Sequence, residues 1–411
     1  MYNIVRGAHM KSLSTKTKKA KETLQEPSNP IPREPKKEPE RVAIWYDYTA
    51  IDKIDSVYKL VIGERSNGKT YGWCRKVLEE YLETGRPSAY IRRLDEQIKP
   101  KFLANLFDPH IDYITKKSKG KWNHISYWQN NFYLERVETL PTGVTKKVAK
   151  DSTSFCRTYA ISTAETSKGA DNGEVRYVCF DEFITRRNYL ANEFIMFQNL
   201  LSSIIRKRTG VTIYMLANTV NKFCPYFAEM GLRRVAKQKQ GTIDVYQMGK
   251  TDYKIAIEYC ASAGVSTKAE SYFAFDNPQL DMIRSGSWEI ASYRHAPRQL
   301  ANHRIVFSFF VIFDSQVIQG DIYMYDGFPI CFFHPKTTEI KDQERSIIYT
   351  QDTIDGNPLH QTDVRIKPTR AQQVIADIFN QKKTFYSDNE CGELVRNWVV
   401  WMTSNRVSTK I

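Results

Sequence analysis

Eight consecutive residues carry the densest chemistry in this chain. Gly63-Glu64-Arg65-Ser66-Asn67-Gly68-Lys69-Thr70 fits the pattern G-x-x-x-x-G-K-[ST] at every fixed position. The glycines let a loop turn tightly and bring backbone N–H groups against phosphate oxygens. A helix starting at about Lys69 aims its positive end at the same oxygens. The Lys69 ammonium neutralises β- and γ-phosphates, and the Thr70 hydroxyl is a ligand for Mg²⁺. The expectation is a nucleotide-binding loop of all eight residues, with ATP and Mg²⁺ as cofactors. A plain glycine-rich turn before a helix is the competing reading, weakened by the setting between an apolar run and a helical one.

A second constellation is Val175-Arg176-Tyr177-Val178-Cys179-Phe180-Asp181-Glu182, an apolar strand ending in two acids. Alone, such a pair is more often the charged start of a helix. Downstream of a phosphate loop it reads as a metal-shell aspartate, Asp181, beside a glutamate, Glu182, that polarises the attacking water. The long spacing from Lys69 to Asp181 leaves room for an extra strand. That points to an α/β P-loop NTPase of the additional-strand, catalytic-glutamate class. A third run, Val211–Asn218, ends in a polar residue at the tip of a core strand, where Asn218 would sense the γ-phosphate. Arginines recur as Arg92, Arg93, Arg186, Arg187, Arg206 and Arg208. A neighbouring subunit's arginine can stabilise the transferring phosphate, and Arg206 and Arg208 are the candidates for that catalytic role. Each could instead be solvated or face DNA.

The surrounding pattern is built to hold these residues. Val57–Gly63, Ser88–Arg93, Val175–Phe180, Val211–Asn218 and Tyr253–Tyr259 read as strands. Ser154–Ser162 reads as an edge strand. Tyr71–Leu82 and Asn192–Arg206 read as helices, the first stopped by Gly85 and Pro87. Alternation of this kind favours a parallel sheet covered on both faces. Residues 94–150 resist parsing. Residues 1–42 form a basic, proline-rich leader expected to be disordered, an arm for nucleic acid or a solubilising tail. The ATPase-like domain is placed at 43–262 and a polar linker at 263–300. From Ile305, three strand-like runs separated at Asp314–Ser315 and Asp326–Gly327 predict an antiparallel meander, followed by helices Thr369–Phe379 and Gly392–Met402. Residues 301–411 are therefore expected to be a smaller α+β domain.

Composition narrows the classes. The net charge of +14 favours polyanionic partners. Seven scattered cysteines, none in C-x-x-C spacing, argue for reduced thiols. The seven histidines form no zinc pattern. No apolar run approaches the roughly 18 residues of a membrane span, so no membrane partner is expected.

Taken in order, Val61–Tyr71, Tyr90–Arg93, Tyr177–Glu182 and Leu216–Asn218 with Pro225-Tyr226-Phe227 resemble the DNA encapsidation ATPases of phi29-like podophages, distant relatives of the terminase large subunits. The resemblance covers roughly residues 43–260. It implies a homo-oligomeric ring, pentameric in the family, that uses ATP and Mg²⁺ to drive double-stranded DNA into the prohead. It implies residence in the host cytoplasm, with transient docking on the portal vertex. It also implies a C-terminal domain like a ribonuclease H-type nuclease without its metal-binding carboxylates, and in some relatives a packaging RNA. The long leader and segment 94–150 depart from the family. Asp314, Asp321 and Asp326 keep open a rival function, that of a terminase large subunit with a working nuclease. A nucleotide-gated DNA-binding switch is a second rival, and a helicase a third and weaker one.

Overall fold

The computed structural model describes residues 46–167, 173–248, 251–261, 282, 286–296, 303–351 and 355–404. All of them belong to one compact unit, Ile44–Ile411. The predicted leader and most of the predicted 263–300 linker lie outside the described residues.

The first sheet grows from strands whose residues are apolar on both faces. β1 (Tyr58–Gly63) is buried at all six positions, including Lys59, whose Nζ is tied to the carbonyls of Ile51 and Asp52. Such strands belong in the middle of a parallel sheet. β6 (Cys156–Ala160), β2 (Ser88–Arg92), β7 (Tyr177–Asp181), β8 (Thr212–Asn218), β1 and β10 (Lys254–Tyr259) lie side by side in that order, all parallel. β8 therefore lies between the loop strand β1 and the acid strand β7. β9 (Thr242–Gln247) closes one edge antiparallel to β10. At the other edge β3 (His124–Trp128) and β4 (Asn131–Thr139) run antiparallel, and β5 (Thr145–Lys150) pairs with β4.

Helices cover both faces. After α1 (Thr49–Asp52) comes α2 (Lys69–Thr84), which packs Trp73, Val77 and Leu78 on one face. Gly85, at φ 74°, ends α2 as a left-handed cap. Short helices α3 (Pro100–Leu103) and α4 (Ile111–Lys117) lie in the segment that resists parsing. α5 (Glu193–Ile205) packs Phe197, Leu200, Leu201 and Ile204 on the opposite face, joined by residues of α6 (Pro225–Glu229).

One sequence expectation is corrected. β6 is an interior strand, because β4 pairs with it through Asn131↔Arg157 and Phe132↔Cys156. Its polar Arg157 and Thr158 give it the look of an edge. The unread segment 94–150 supplies the strands that cover it.

The second sheet comprises β11 (Ile305–Phe313), β12 (Gln316–Tyr325), β13 (Phe328–Pro335), β14 (Ile347–Thr350), β15 (His360–Gln361) and β16 (Thr384–Tyr386). Its order is β15-β14-β11-β12-β13-β16. The expected meander is β11-β12-β13. Its turns are Asp314-Ser315 and Asp326-Gly327, all four residues at positive φ, the two-residue geometry that matches strand twist. Gly320 has no side chain for a packing reason: a Cβ there would come within 2.5 Å of the Phe309 ring. α7 (Arg370–Asn380) starts with a Thr369–Gln372 capping box, and with α8 (Asn389–Ser404), whose Trp398 packs against Tyr349, it covers one face over Phe309, Phe333 and Tyr349.

Candidate functional site: a phosphate-loop cleft with an acid pair

The end of β1 turns through Glu64–Gly68 into α2. Ser66 at φ 59° and Gly68 at φ 87° are the left-handed residues that fold the chain back on itself. Gly63 is constrained by packing, since a Cβ would lie 2.9 Å from that of Cys260. The loop is pinned from several sides. The Tyr46 N–H donates to the Asn67 carbonyl at 2.8 Å, the Thr219 N–H to the Gly63 carbonyl at 3.1 Å, and the Tyr48 hydroxyl to the Lys69 carbonyl at 2.8 Å.

Lys69 is buried, and its ammonium donates to the Glu64 carbonyl at 2.7 Å, Asn67 Oδ1 at 3.1 Å and Asn218 Oδ1 at 3.2 Å. Burial pulls its pKa down, opposed by the negative groups around it. The register Gly63↔Asn218 on adjacent parallel strands explains the last contact. Thr70 Oγ1 donates to Asp181 Oδ2 at 3.0 Å. A hydroxyl and a carboxylate at this separation are the oxygen donors a hard divalent cation takes. Among the described residues no group of three or more His, Cys, Asp or Glu is placed to hold a metal. An ion here would complete its shell with water and phosphate, as Mg²⁺ commonly does.

Asp181 has a second donor, the Tyr90 hydroxyl at 2.7 Å. Glu182 stands at φ 60°, unusual for a residue with a Cβ. Its side chain is about half exposed and accepts from Arg92 at 2.5 Å. Burial works against the charge on Arg92, but Tyr90, Asp181 and Glu182 outweigh it and raise its pKa. Tyr90 and Arg92 share a face of β2 because strand side chains alternate. Sequence reasoning finds Arg92 only within an arginine cluster and misses Tyr90. The alternation Tyr90-Ile91-Arg92 beside the acid strand is the available signal.

Arg93 points the other way. Its Nε lies 2.9 Å from Glu193 Oε2, and its guanidinium donates to the carbonyls of Glu182 and Phe183 at 3.1 and 2.7 Å. Glu193 also accepts from the Tyr226 hydroxyl at 2.9 Å. Arg93 thereby fixes the backbone after the acid pair.

Residues 286–289 lie against the loop, a contact that no sequence pattern foretells. Gly286, at φ 67°, would put a Cβ 2.8 Å from the Glu64 nitrogen, and its carbonyl accepts from Thr219 Oγ1 at 2.8 Å and the Tyr259 hydroxyl at 2.9 Å. Glu289 lies 3.3 Å from Arg65 and 3.6 Å from Arg186. Arg186 in turn pairs with Glu393 of α8 at 2.8 Å. A line of alternating charge thus runs from the loop to the second sheet's helix.

Lys69, Thr70, Asp181, Glu182 and Asn218 are brought together at the C-terminal ends of the parallel strands. Arg206 and Arg208 are not: Arg206 caps α5, and Arg208 precedes the start of β8, the end remote from Asn218. Five strand steps separate Ile213 from Asn218, roughly 17 Å. Arg187 donates its N–H to Thr185 Oγ1 at 3.0 Å.

Comparison with known proteins gives three findings. The sequence model of the family described as "Podovirus DNA encapsidation protein (Gp16)" matches residues 146–264. The "DNA packaging protein" of Bacillus phage phi29 and that of Bacillus phage PZA are each 23% identical over 194 residues, 45% of this chain and 49% of theirs. The chain spans about half the length of the curated relatives it matches. A solved structure described as "The bacteriophage Phi-29 viral genome packaging motor assembly" aligns over 88% of this chain and 99% of that one, at 17% identity and a TM-score of 0.51. That likeness speaks for the mixed α/β fold. The resemblance read from the motifs therefore holds, and the family match includes the acid strand and β8 but not the Gly63–Thr70 loop.

Proposed function

We propose that this chain is a P-loop ATPase of the additional-strand, catalytic-glutamate class that packages viral double-stranded DNA into a prohead as a homo-oligomeric ring. The observation that carries the reading is the convergence of Lys69, Thr70, Asp181, Glu182 and Asn218 where β1, β7 and β8 end. The order β10-β1-β8-β7-β2, with one strand between loop and acids, supports the class.

In this reading the Glu64–Thr70 backbone and Lys69 seat the β- and γ-phosphates of ATP. Mg²⁺, held by Thr70 and Asp181, supplies neutralisation of the charge that builds on those oxygens. To reach a water in line with the γ-phosphate, Glu182 must exchange its Arg92 partner for that water. Lys69 must likewise leave the Glu64 carbonyl. Asn218, already beside Lys69, is positioned to register the γ-phosphate. Arg206 and Arg208 stand near the start of β8, the end opposite Asn218, and the role proposed for them is at a neighbour's nucleotide in the ring.

The domain division 1–42, 43–262, 263–300 and 301–411 belongs to the same proposal, with residues 286–289 contacting the loop from the linker. The order β15-β14-β11-β12-β13, with β14 parallel to β11, supports a ribonuclease H-like C-terminal domain. Asp321 there is held by Ser308, Gln319 and His334 rather than by other acids, which favours a vestigial nuclease. Double-stranded DNA, a portal and prohead, further copies of this chain in a pentameric ring and, in some systems, a packaging RNA are the proposed partners. The proposed place of action is the host cytoplasm, on the portal vertex.

The test is ATP turnover alone, with duplex DNA, and with DNA plus proheads. Stimulation by DNA that rises again with proheads is expected. Turnover indifferent to both would overturn the packaging reading while leaving an ATPase.

A further inference from the structure

The segment that sequence patterns do not parse holds a large share of the chain's charge. Residues 113–150 contain eight Lys/Arg against two Glu, an excess of +6 out of the chain's +14. The fold gathers them at one edge of the first sheet. α4 ends in Lys116 and Lys117, and a turn through Lys119 and Gly120, both at positive φ, leads past Lys121 into β3. Asn123 locks this turn beside the middle of β4: its Nδ2 donates to the Val137 carbonyl at 2.9 Å, and its Oδ1 accepts the Val137 N–H at 2.8 Å.

From there β4 and β5 continue as a two-stranded ribbon. Phe132 of β4 pairs with Cys156, the first residue of β6, so everything in β4 after Phe132 runs past the start of the parallel strands. The ribbon leaves the sheet at the end opposite the phosphate loop. All six residues of β5 are exposed, as are Arg136, Glu138 and Thr139 of β4. Three of the basic groups are matched: Lys147 to Glu135 at 2.6 Å, Arg136 to Glu138 at 3.1 Å and Lys117 to Glu83 at 3.1 Å. Lys116, Lys119, Lys121, Lys146 and Lys150 form no ion pair among the described residues. Two of these lysines lie against aromatic rings, Lys150 at 3.8 Å from the Tyr133 centroid and Lys121 at 4.9 Å from that of Trp122.

An exposed strand edge carrying unmatched lysines is a binding surface for a polyanion, since each lysine that reaches a phosphate releases condensed counterions. Shape chooses between the two kinds of duplex. The major groove of B-form DNA, about 12 Å wide, admits a two-stranded ribbon. The A-form RNA major groove is too narrow and deep for side chains to read. We propose that the α4–β3 lysine turn and the β4–β5 ribbon form a contact surface for duplex DNA, the ribbon lying along the major groove and the lysines reaching the flanking phosphates, independent of sequence and separate from the nucleotide cleft. The proposal rests on the packaging reading for the presence of DNA. It adds the surface that touches it.

The experiment measures binding of the full-length chain to a labelled random-sequence DNA duplex by fluorescence anisotropy across a salt series. The variant carries Lys119→Gln, Lys121→Gln, Lys146→Gln and Lys150→Gln. A control carries Lys336→Gln, Lys341→Gln, Lys367→Gln and Lys382→Gln, four lysines of the second sheet's domain, three of them exposed and Lys336 half-buried. The patch variant is expected to lower the slope of log K against log salt by about 3 and the affinity near 0.1 M salt by at least tenfold. The control should lose little, and both should keep the wild-type circular dichroism and DNA-independent ATP turnover. Equal losses in patch and control would mean bulk charge and overturn the proposal, as would an unchanged slope in the patch variant. A larger loss on an RNA duplex than on DNA would overturn the assignment to DNA. Wild-type protein that binds no duplex DNA would instead sink the packaging reading.

Discussion

Asp181 ends β7 of the first sheet, whereas Asp321 lies in the middle of β12 of the second. Both are buried and both accept side-chain hydrogen bonds. The difference lies in what surrounds them. Asp181 has two hydroxyl donors, Thr70 and Tyr90, a second acid next to it in sequence, and the Lys69 ammonium and the Gly63–Thr70 loop close by. Asp321 takes donors from Ser308, Gln319 and His334 on its own and both adjoining strands, at 2.6, 2.8 and 3.0 Å, and among the described residues it belongs to no cluster of acids that could hold a metal. A carboxylate at a strand tip faces a cleft, and its donors can be exchanged for a ligand. One in mid-sheet is saturated by the sheet itself. Position along the strand, more than residue type, separates an acid that can do chemistry from one that holds strands together.

If that contrast is right, changes at the first site should act on turnover and leave folding alone. The largest effect is expected for Glu182→Gln, with turnover falling roughly 10²–10⁴-fold, the range for loss of a general base. Nucleotide affinity should stay near wild type, because the amide keeps the shape of the side chain. Turnover and nucleotide binding measured on the same preparation check this, and normal hydrolysis would remove Glu182 from its role. Lys69→Ala comes next. Losing a charge-assisted contact of about 1.5–3 kcal/mol should weaken nucleotide binding roughly ten- to hundredfold, with turnover falling alongside. Titration with a fluorescent ATP analogue reads the loss, and unchanged affinity would mean that triphosphate does not sit on Lys69.

The same contrast explains what can be read without the fold. The Gly63–Thr70 loop, the acid strand and the Asn218 strand are legible because each is a short, local pattern whose chemistry depends on neighbours in sequence. The β11–β13 meander is legible because Asp314-Ser315 and Asp326-Gly327 punctuate apolar runs. Segment 94–150 is illegible because its elements are weakly patterned: α3 has four residues, α4 has seven, and β5 is exposed along its whole length. No periodicity of burial can show in a strand that buries nothing. β6 passes for an edge for a related reason, since its outer neighbour β4 comes from that same segment. The pairing of Arg92 with Glu182, 90 positions apart, depends on β2 lying beside β7. Residues 286–289 reach the loop through backbone fit at Gly286 and the single charge of Glu289, neither of which leaves a motif.

At the second site the effect should fall on stability. Asp321→Ala strands three donors, and hydrogen bonds to a charged group are worth about 1.5–3 kcal/mol each, so a loss on the order of 3 kcal/mol is expected after relaxation. Thermal or denaturant unfolding measures it, while ATP turnover at low temperature should not change. Plasmid cleavage in Mn²⁺ should be absent in both wild type and variant. Cleavage by the wild type that Asp321→Ala abolishes would break the contrast, by making Asp321 a working acid.

The smallest expected effect is a pH dependence confined to the Asp321–His334 pair. The hydrogen bond to Asp321 is the main cause that raises the His334 pKa above the usual imidazole value. Burial alone would raise that of Asp321, but the bonds from His334, Gln319 and Ser308 outweigh it and hold it low. A raised histidine contributes stability that is complete below its unfolded value, near 6.5, and is lost as pH climbs through its folded one. A lowered aspartate contributes above its unfolded value, near 3.9, and loses that contribution as pH falls through its folded one. Both contributions are whole between about pH 4 and 6.5. Raising pH from 6 to 8.5 should therefore cost the pair's share, on the order of one degree in Tm for a chain of this size. His334→Gln, which keeps a donor but no titratable charge, should flatten that slope. The Glu182→Gln variant should keep it, because nothing at the strand tip feeds the pair. A slope that survives His334→Gln would place the titration elsewhere in the protein and leave Asp321 held by Ser308 and Gln319 alone.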